Sequence, residues 1–393
     1  MEFSRNTKFH IPFVSLFTIL LVVTTISNHV FAKGPCNFPA IFNFGASNAD
    51  TGGYSVSMKA LKSPYGETYF HKPAGRYSDG RIILDFIAQN FGLPYLSPYL
   101  DSLGSNFSTG ANFGTAGSTI QPQSNYSIVG YVFSPFSLDV QYNQFLNFIP
   151  RTKFFREKGG IFATLMPQEE YFSKALYTYD IGQNDLTASF ASFRPIKQII
   201  DSIPDIVKKF TENVKNIYDL GGRSFWIHST GPLGCHPSFL SDHSIGERDE
   251  YGCIKELNEV CKYFNLNLKE ALAQLRKDLP NAAITYVDIY SAKYSLFQDP
   301  KKYGFEDPQV ACCGYGGKYN FNHIVGCGDS MKVNGTEISA GSCGKASVRV
   351  MWDGIHYTEA ANKVVFDKIS SGAFTDPPIP LNMACLRSSD TKF

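Results

Sequence analysis

The chain reads as an α/β protein built on a parallel sheet with helices on both faces. Three observations predict this. Short apolar runs near 41–44, 175–179, 224–228 and 283–289 have strand composition, and the first three run into turns of small or polar residues. Segments with apolar residues at helical spacing lie between them, and strands that alternate with helices pair in parallel through crossovers. No Pro/Ser linker, low-complexity tract or internal repeat divides the 393 residues, so a single domain over 33–393 is expected.

Residues 1–32 stand apart from that domain. Arg5 and Lys8 precede an apolar run from Ile11 to about Ile26, and Val30-Phe31-Ala32 closes it, the pattern of a secretory signal peptide. An uncleaved anchor is the competing reading, but Pro12, Ser15 and several threonines leave the run short of the roughly 20 apolar residues that a span needs. No other stretch is a candidate span, so the mature protein is expected to be soluble and secreted and to begin near Lys33. The nine cysteines all lie beyond that point, where an oxidising compartment favours disulfides, and their odd number leaves at least one thiol free or intermolecular. Cys312-Cys313 with Cys327 lacks the paired spacing of a zinc site, and no metal is expected. Asn106, Asn125 and Asn334 head glycosylation sequons, so N-glycans on exposed loops are expected. A net charge of +1 without a basic run argues against nucleic acid and against an anionic membrane surface.

Within the domain, Ile41, Phe42 and Phe44 mark the first strand, and Gly45, Asn48 and Gly52-Gly53 mark the turn that follows, with Ser47 at its crest. A serine there is usually plain turn chemistry, but it also stands where parallel sheets build ligand sites. The turn-rich loop Pro73–Arg81, with two arginines, leads into an amphipathic helix at Ile82, and Gly110–Ser118 is a small-residue loop. Such a loop either exposes backbone N–H groups to a ligand or is simply flexible. Residues 135–160 form a helix. The strand at 175–179 ends in Asp180-Ile181-Gly182-Gln183-Asn184-Asp185, a turn carrying an amide. Pro204 suits the first turn of a helix continued by Ile206, Val207, Phe210, Val214 and Ile217, and Gly221-Gly222 stops it. A long helix covers 251–278. The Gly-, Cys- and Asn-rich segment 300–350 reads as a disulfide-tied insertion loop outside the core. Asp353 and His356 then stand three residues apart just before a last helix through Val364, Val365 and Ile369, a spacing that lets the carboxylate orient the imidazole.

Serine, amide, Gly loop and Asp-x-x-His together supply the parts of an acyl-transfer site. In this order, and with Gly-Arg-Tyr-Ser-Asp-Gly-Arg, Thr-Gly-Pro-Leu-Gly-Cys and Cys-Cys-Gly, the chain resembles the plant GDSL esterase/lipase family of the SGNH hydrolase superfamily, from Phe38 to about Phe374. The resemblance implies a three-layer α/β/α sandwich with a flavodoxin-like parallel sheet of about five strands. It implies Ser47 as nucleophile, His356 as general base and acid, and Asp353 as its orienting partner. The oxyanion donors it implies are the backbone N–H groups of Ser47 and Gly117 and the side chain of Asn184. No cofactor is implied. The family text Gly-Asp-Ser-Leu is here Gly45-Ala46-Ser47-Asn48, similar to the early-nodulin-like branch, and the missing carboxylate bears on how rigid the turn is. Gly328-Asp329-Ser330 copies the family letters but follows no strand and reads as loop; Gly-x-Ser-x-Gly is not met because position 49 is Ala.

The activity so implied is hydrolysis of acetyl or other short acyl esters on small molecules or polysaccharides, in the extracellular space or cell wall. An acyltransferase would use the same triad with an alcohol replacing water. A catalytically weak carbohydrate-binding protein has Ala46 as its sequence support. His71, His228, His236, His243 and His323 have no partner at metal spacing and read as surface or packing residues.

Overall fold

The computed structural model describes residues 34–124, 127–128, 131–242, 246–387 and 390. The expected signal peptide and the sequon at Asn125 lie outside them. Five parallel strands form the body of the sheet: β1 (Ile41–Gly45), β2 (Gly110–Asn112), β3 (Leu176–Asp180), β4 (Ser224–His228) and β5 (Ala283–Val287). A two-residue strand, β6 (Thr375–Asp376), pairs antiparallel with β5, and the order across the sheet is β6-β5-β4-β3-β1-β2.

The strands read as near-continuous apolar runs because both faces are covered. Phe42, Phe44, Tyr177, Tyr179, Phe225 and Ile227 point to one face. There they meet α2 (Leu138–Lys158), α4 (Ile196–Asp219) and α5 (Lys255–Asp278). Ile41, Leu176, Trp226 and Val287, one residue out of phase, point to the other face. That face is closed by α1 (Ile83–Asn90), α6 (Ile289–Gln298) and α7 (Glu359–Ser370), completing three layers. Aromatic rings lock the first strand: Phe42 stacks on Phe172 at 5.1 Å and Phe44 on Tyr179 at 5.1 Å. Removing one such buried ring costs about 3–5 kcal/mol, so the strand that delivers Ser47 is held firmly.

Three features differ from the expectations. The stretch Gly110–Asn112 is not loop but an edge strand; Gly110 has φ +110° and lies so close to β1 that a Cβ would strike the Ile41 carbonyl. Smallness there is the condition of pairing, and it hides the strand from any apolar pattern. Pro204 is not in a first turn. Helix α4 starts at Ile196, directly after Pro195, and carries Pro204 in its interior on the exposed side, where water can satisfy the carbonyl that proline leaves free. The insertion 300–350 is disulfide-tied, through Cys312–Cys343 and Cys313–Cys327, but it contains an exposed hairpin (Ser330–Val333 and Thr336–Ser339) and buries Cys312 and Cys313 beside Trp352. Ser330 therefore lies on a hairpin strand, its hydroxyl 2.6 Å from that of Ser339, and Asp329 pairs with Lys59 and Lys62. Two further disulfides, Cys36–Cys385 and Cys235–Cys253, leave Cys261 as the free, buried thiol.

Candidate active site

The carboxyl ends of the strands carry the site. Past β1 the backbone enters a tight turn, Ser47–Ala49, in which Ser47 is 6 % exposed. Ala46 is fully buried and its N–H donates to the Asp180 carbonyl at 3.0 Å. Gln141 of α2 brackets Gly45, donating to its carbonyl (2.8 Å) and accepting from its N–H (2.9 Å). Asp50 does more. Its Oδ1 accepts the N–H groups of Gly52 (2.7 Å) and Gly53 (2.6 Å), and its Oδ2 those of Tyr54 (3.1 Å) and Ala116 (2.8 Å). Burial raises the Asp50 carboxyl above its ordinary range while these four donors oppose the rise. The rigidity that Ala46 does not supply thus comes from the next carboxylate along, which also ties the serine turn to the loop beside Gly117.

Gly117 lies on the same cavity wall with φ +77° and could carry no side chain, since a Cβ would stand 2.8 Å from the Ser134 nitrogen. Asn184 sits in the first turn of α3 (Gln183–Ala191). One of its amide hydrogens goes to the Ser118 carbonyl at 2.9 Å, and the group has a second to offer. Its neighbour Asp185 accepts from Ile120 (2.9 Å) and Gln121 (3.0 Å), joining α3 to the Gly117 loop, and burial pushes the Asp185 carboxyl up to about 7 against those N–H donors.

The Asp-x-x-His turn folds as its spacing predicts. Asp353 Oδ1 accepts the N–H groups of Ile355 (2.8 Å) and His356 (2.7 Å), and the His356 Nδ1 lies 2.8 Å from Oδ2 and 3.0 Å from Oδ1. Tyr65 donates its hydroxyl to Oδ2 at 2.9 Å. Burial would raise the Asp353 carboxyl, but the His356 imidazole and the N–H donors outweigh it and hold it at about 2. Burial and the Asp353 charge push the Tyr65 hydroxyl well up, so it stays a donor. Two residues later Thr358 caps α7, its Oγ1 accepting from Ala361 at 3.1 Å, which fixes where the turn ends. The His356 Nε2 is buried and has no hydrogen-bond partner among the described residues.

Ser47, Gly117, Asn184, Asp353 and His356 all line one cavity of about 270 Å³. Tyr54, Tyr77, Phe133, Leu233 and Phe239 give it apolar walls, and the Tyr77 ring centroid lies 4.8 Å from that of His356. Sequence reasoning missed Asp50, Tyr65 and Lys293 here, and it placed His236 and His323 among surface or packing residues although both line the cavity. His228 is buried as well, its Nδ1 3.1 Å from Asp180 Oδ2. Asp50 had a visible signal, an acid two residues before the Gly52-Gly53 pair; the others meet the site only through distant chain segments.

A three-layer parallel sheet that gathers a serine turn, N–H donors and a carboxylate-backed imidazole around one cavity defines a serine hydrolase acting on ester bonds. The chain belongs to the GDSL-like lipase/acylhydrolase family, whose model matches residues 41–369. It is 60 % identical to the GDSL esterase/lipase ENOD8 of Medicago truncatula over 98 % of both chains. A Hevea brasiliensis protein named esterase is 56 % identical over 100 % of this chain and 99 % of its own. An Arabidopsis thaliana protein named alpha-L-fucosidase 3 is 47 % identical over 96 % and 99 %. Among the described residues no helix is long and apolar enough to cross a membrane, and the four disulfides fit an oxidising compartment.

Proposed function

We propose that the protein is secreted after loss of residues 1–32, that 33–393 act as one domain, and that it removes acetyl or other short acyl groups from carbohydrates or specialised metabolites. Ser47 Oγ attacks the ester carbonyl while His356 Nε2 takes its proton. The carbonyl oxygen becomes an oxyanion held by the Ser47 and Gly117 N–H groups and the second amide hydrogen of Asn184, each donor contributing about 10²–10³ in rate. His356 then gives the proton to the leaving alcohol, and the acyl group stays on Ser47. Water deprotonated by His356 opens that ester, and the acid departs. Asp353 keeps the imidazole in the tautomer with hydrogen on Nδ1 and stabilises its charged form.

The observation that carries this reading is the Asp353–His356 pair at 2.8 Å, whose far nitrogen is buried and without a partner among the described residues, on the wall that Ser47 shares. A small cavity with apolar walls suits short acyl chains. The fucosidase name of one relative does not transfer easily. Glycosidases use two carboxylates roughly 5–9.5 Å apart, whereas Asp353 is the sole carboxylate among the described residues lining the cavity and is already bonded to His356. N-glycans at the exposed Asn106 and Asn334 belong to the same proposal. The test is p-nitrophenyl acetate turnover by the secreted protein and by Ser47→Ala. Activity should vanish in the variant, and equal near-background rates in both would sink the esterase mechanism.

A further inference from the structure

One ionisable group of the cavity has no task in that mechanism. Lys293 of α6 is 2 % exposed, yet it lines the cavity. An ammonium taken out of water is costly unless an anion or acceptors compensate it. Lys293 has no hydrogen bond and no ion pair within 4 Å among the described residues. Its Nζ rests over the Tyr357 ring, 4.4 Å from the centroid. Burial lowers its pKa and the charge of Asp180 works against that fall. Asp180 is already engaged, Oδ2 with His228 Nδ1 at 3.1 Å and Oδ1 with Gln183 Nε2 at 3.2 Å.

A second lone donor flanks the same tyrosine. His236 Nε2 lies 3.5 Å from the Tyr357 hydroxyl, while its Nδ1 is buried without a partner among the described residues. Burial, helped by the charge of Lys293, holds this imidazole neutral by pushing its pKa down to about 3. Burial pushes the Tyr357 hydroxyl pKa up, so the hydroxyl keeps its proton and can donate to Nε2, the tautomer that leaves the hydrogen on Nδ1. Gly231 packs against the lysine stem, where a Cβ would stand 3.2 Å from Lys293 Cδ and 3.9 Å from Nζ, so only the lack of a side chain there leaves the stem its room. Lys293 and, in that tautomer, His236 thus bring two buried donors to the lining of a cavity whose Asp353 is taken by His356 and Tyr65.

We propose that Lys293 and His236 form a carboxylate subsite, so that the preferred esters carry a carboxylate close to the scissile bond. The carboxylate sits either on the acyl group, as in a half-ester of a dicarboxylic acid, or on the alcohol, as in an acylated uronic acid. The proposal rests on the esterase reading for its meaning in catalysis.

Two matched pairs followed by pH-stat separate the sources: monomethyl succinate against methyl butyrate, and acetylated methyl glucuronoside against acetylated methyl glucoside. Wild type should prefer the charged member of one pair at least tenfold in kcat/KM, and in Lys293→Met the charged-to-neutral ratio should fall to near one. Lys293→Gln serves if the methionine variant does not fold, as judged by thermal melting. Calorimetric titration of monomethyl succinate into Ser47→Ala, and into the same protein with Lys293→Met added, reads the subsite without turnover; the added change should weaken Kd at least tenfold. No charge preference in either pair, or a ratio and Kd indifferent to Lys293, would overturn the subsite. Turnover that survives Ser47→Ala would instead overturn the esterase reading and leave the calorimetric result standing on its own.

Discussion

Asp50→Asn isolates the clamp between the serine turn and the Gly117 loop. Oδ1 receives the two shortest bonds, 2.6 and 2.7 Å from Gly53 and Gly52, so the amide oxygen of the variant takes that side. Its NH₂ then confronts the N–H groups of Tyr54 and Ala116, which had donated to Oδ2 at 3.1 and 2.8 Å. Two donors lose their acceptor, Ala116 in a buried place and Tyr54 in a partly buried one, at up to about 1–3 kcal/mol each, so at most about 2–6 kcal/mol in all. The Ala116 bond is the one that docks the loop, and its release shifts the neighbouring Gly117 N–H away from where the oxyanion forms. Loss of one such donor corresponds to about 10²–10³ in kcat. The assay is steady-state hydrolysis of p-nitrophenyl acetate beside a thermal melt. A lower melting temperature with kcat within threefold of wild type would refute the catalytic role of the clamp. Unchanged values of both would refute the energetics as well.

Asp353→Asn removes the charge behind His356 and favours the wrong tautomer, and kcat for the same ester should fall by about 10⁴-fold, a drop that steady-state rates resolve. Asp185 makes a pH-dependent contribution of defined sign. Its carboxyl sits at about 7 in the fold against an ordinary 3.8, so its contribution to stability is full below about pH 4 and is lost as pH rises through about 7. Unfolding free energies of Asp185→Asn from urea titrations should lack a slope of up to about 1.4 kcal/mol per pH unit that wild type has in that window, and parallel slopes would contradict the assignment. Replacing Cys36 and Cys385 together by serine opens a bridge across 349 residues and should lower unfolding free energy by about 3–5 kcal/mol in a urea titration.

What sequence could convey depended on how local each feature is. The Asp353–His356 contact closes over three residues, so its spacing reveals it. The strands β1, β3, β4 and β5 are buried on both faces and therefore show as apolar runs. Edge strand β2 is paired because it is small, and β6 has two residues; neither leaves a periodic signal. The Asn334-Gly335 turn of the exposed hairpin was legible in principle, since both residues have φ > 0 (+50° and +83°) and Asn-Gly is the dipeptide such turns favour. Tyr65 meets Asp353 across 288 residues, and Lys293 reaches the cavity from a helix whose other buried residues simply pack. Such pairings are properties of the folded topology, and no pattern in the chain announces them.

The Cys36–Cys385 bond makes the described chain a covalent ring. A single cut at the exposed Asn334-Gly335 tip would separate the piece bearing Ser47 from the piece bearing His356 in sequence only. The ring bond and Cys312–Cys343 would both still bridge the cut, and the cavity would keep all its walls. Nicked protein should run as one species until a reductant is added and as two afterwards. In a protease-rich oxidising medium the molecule thus tolerates damage to its outline that a chain with loose ends would turn into loss of a fragment.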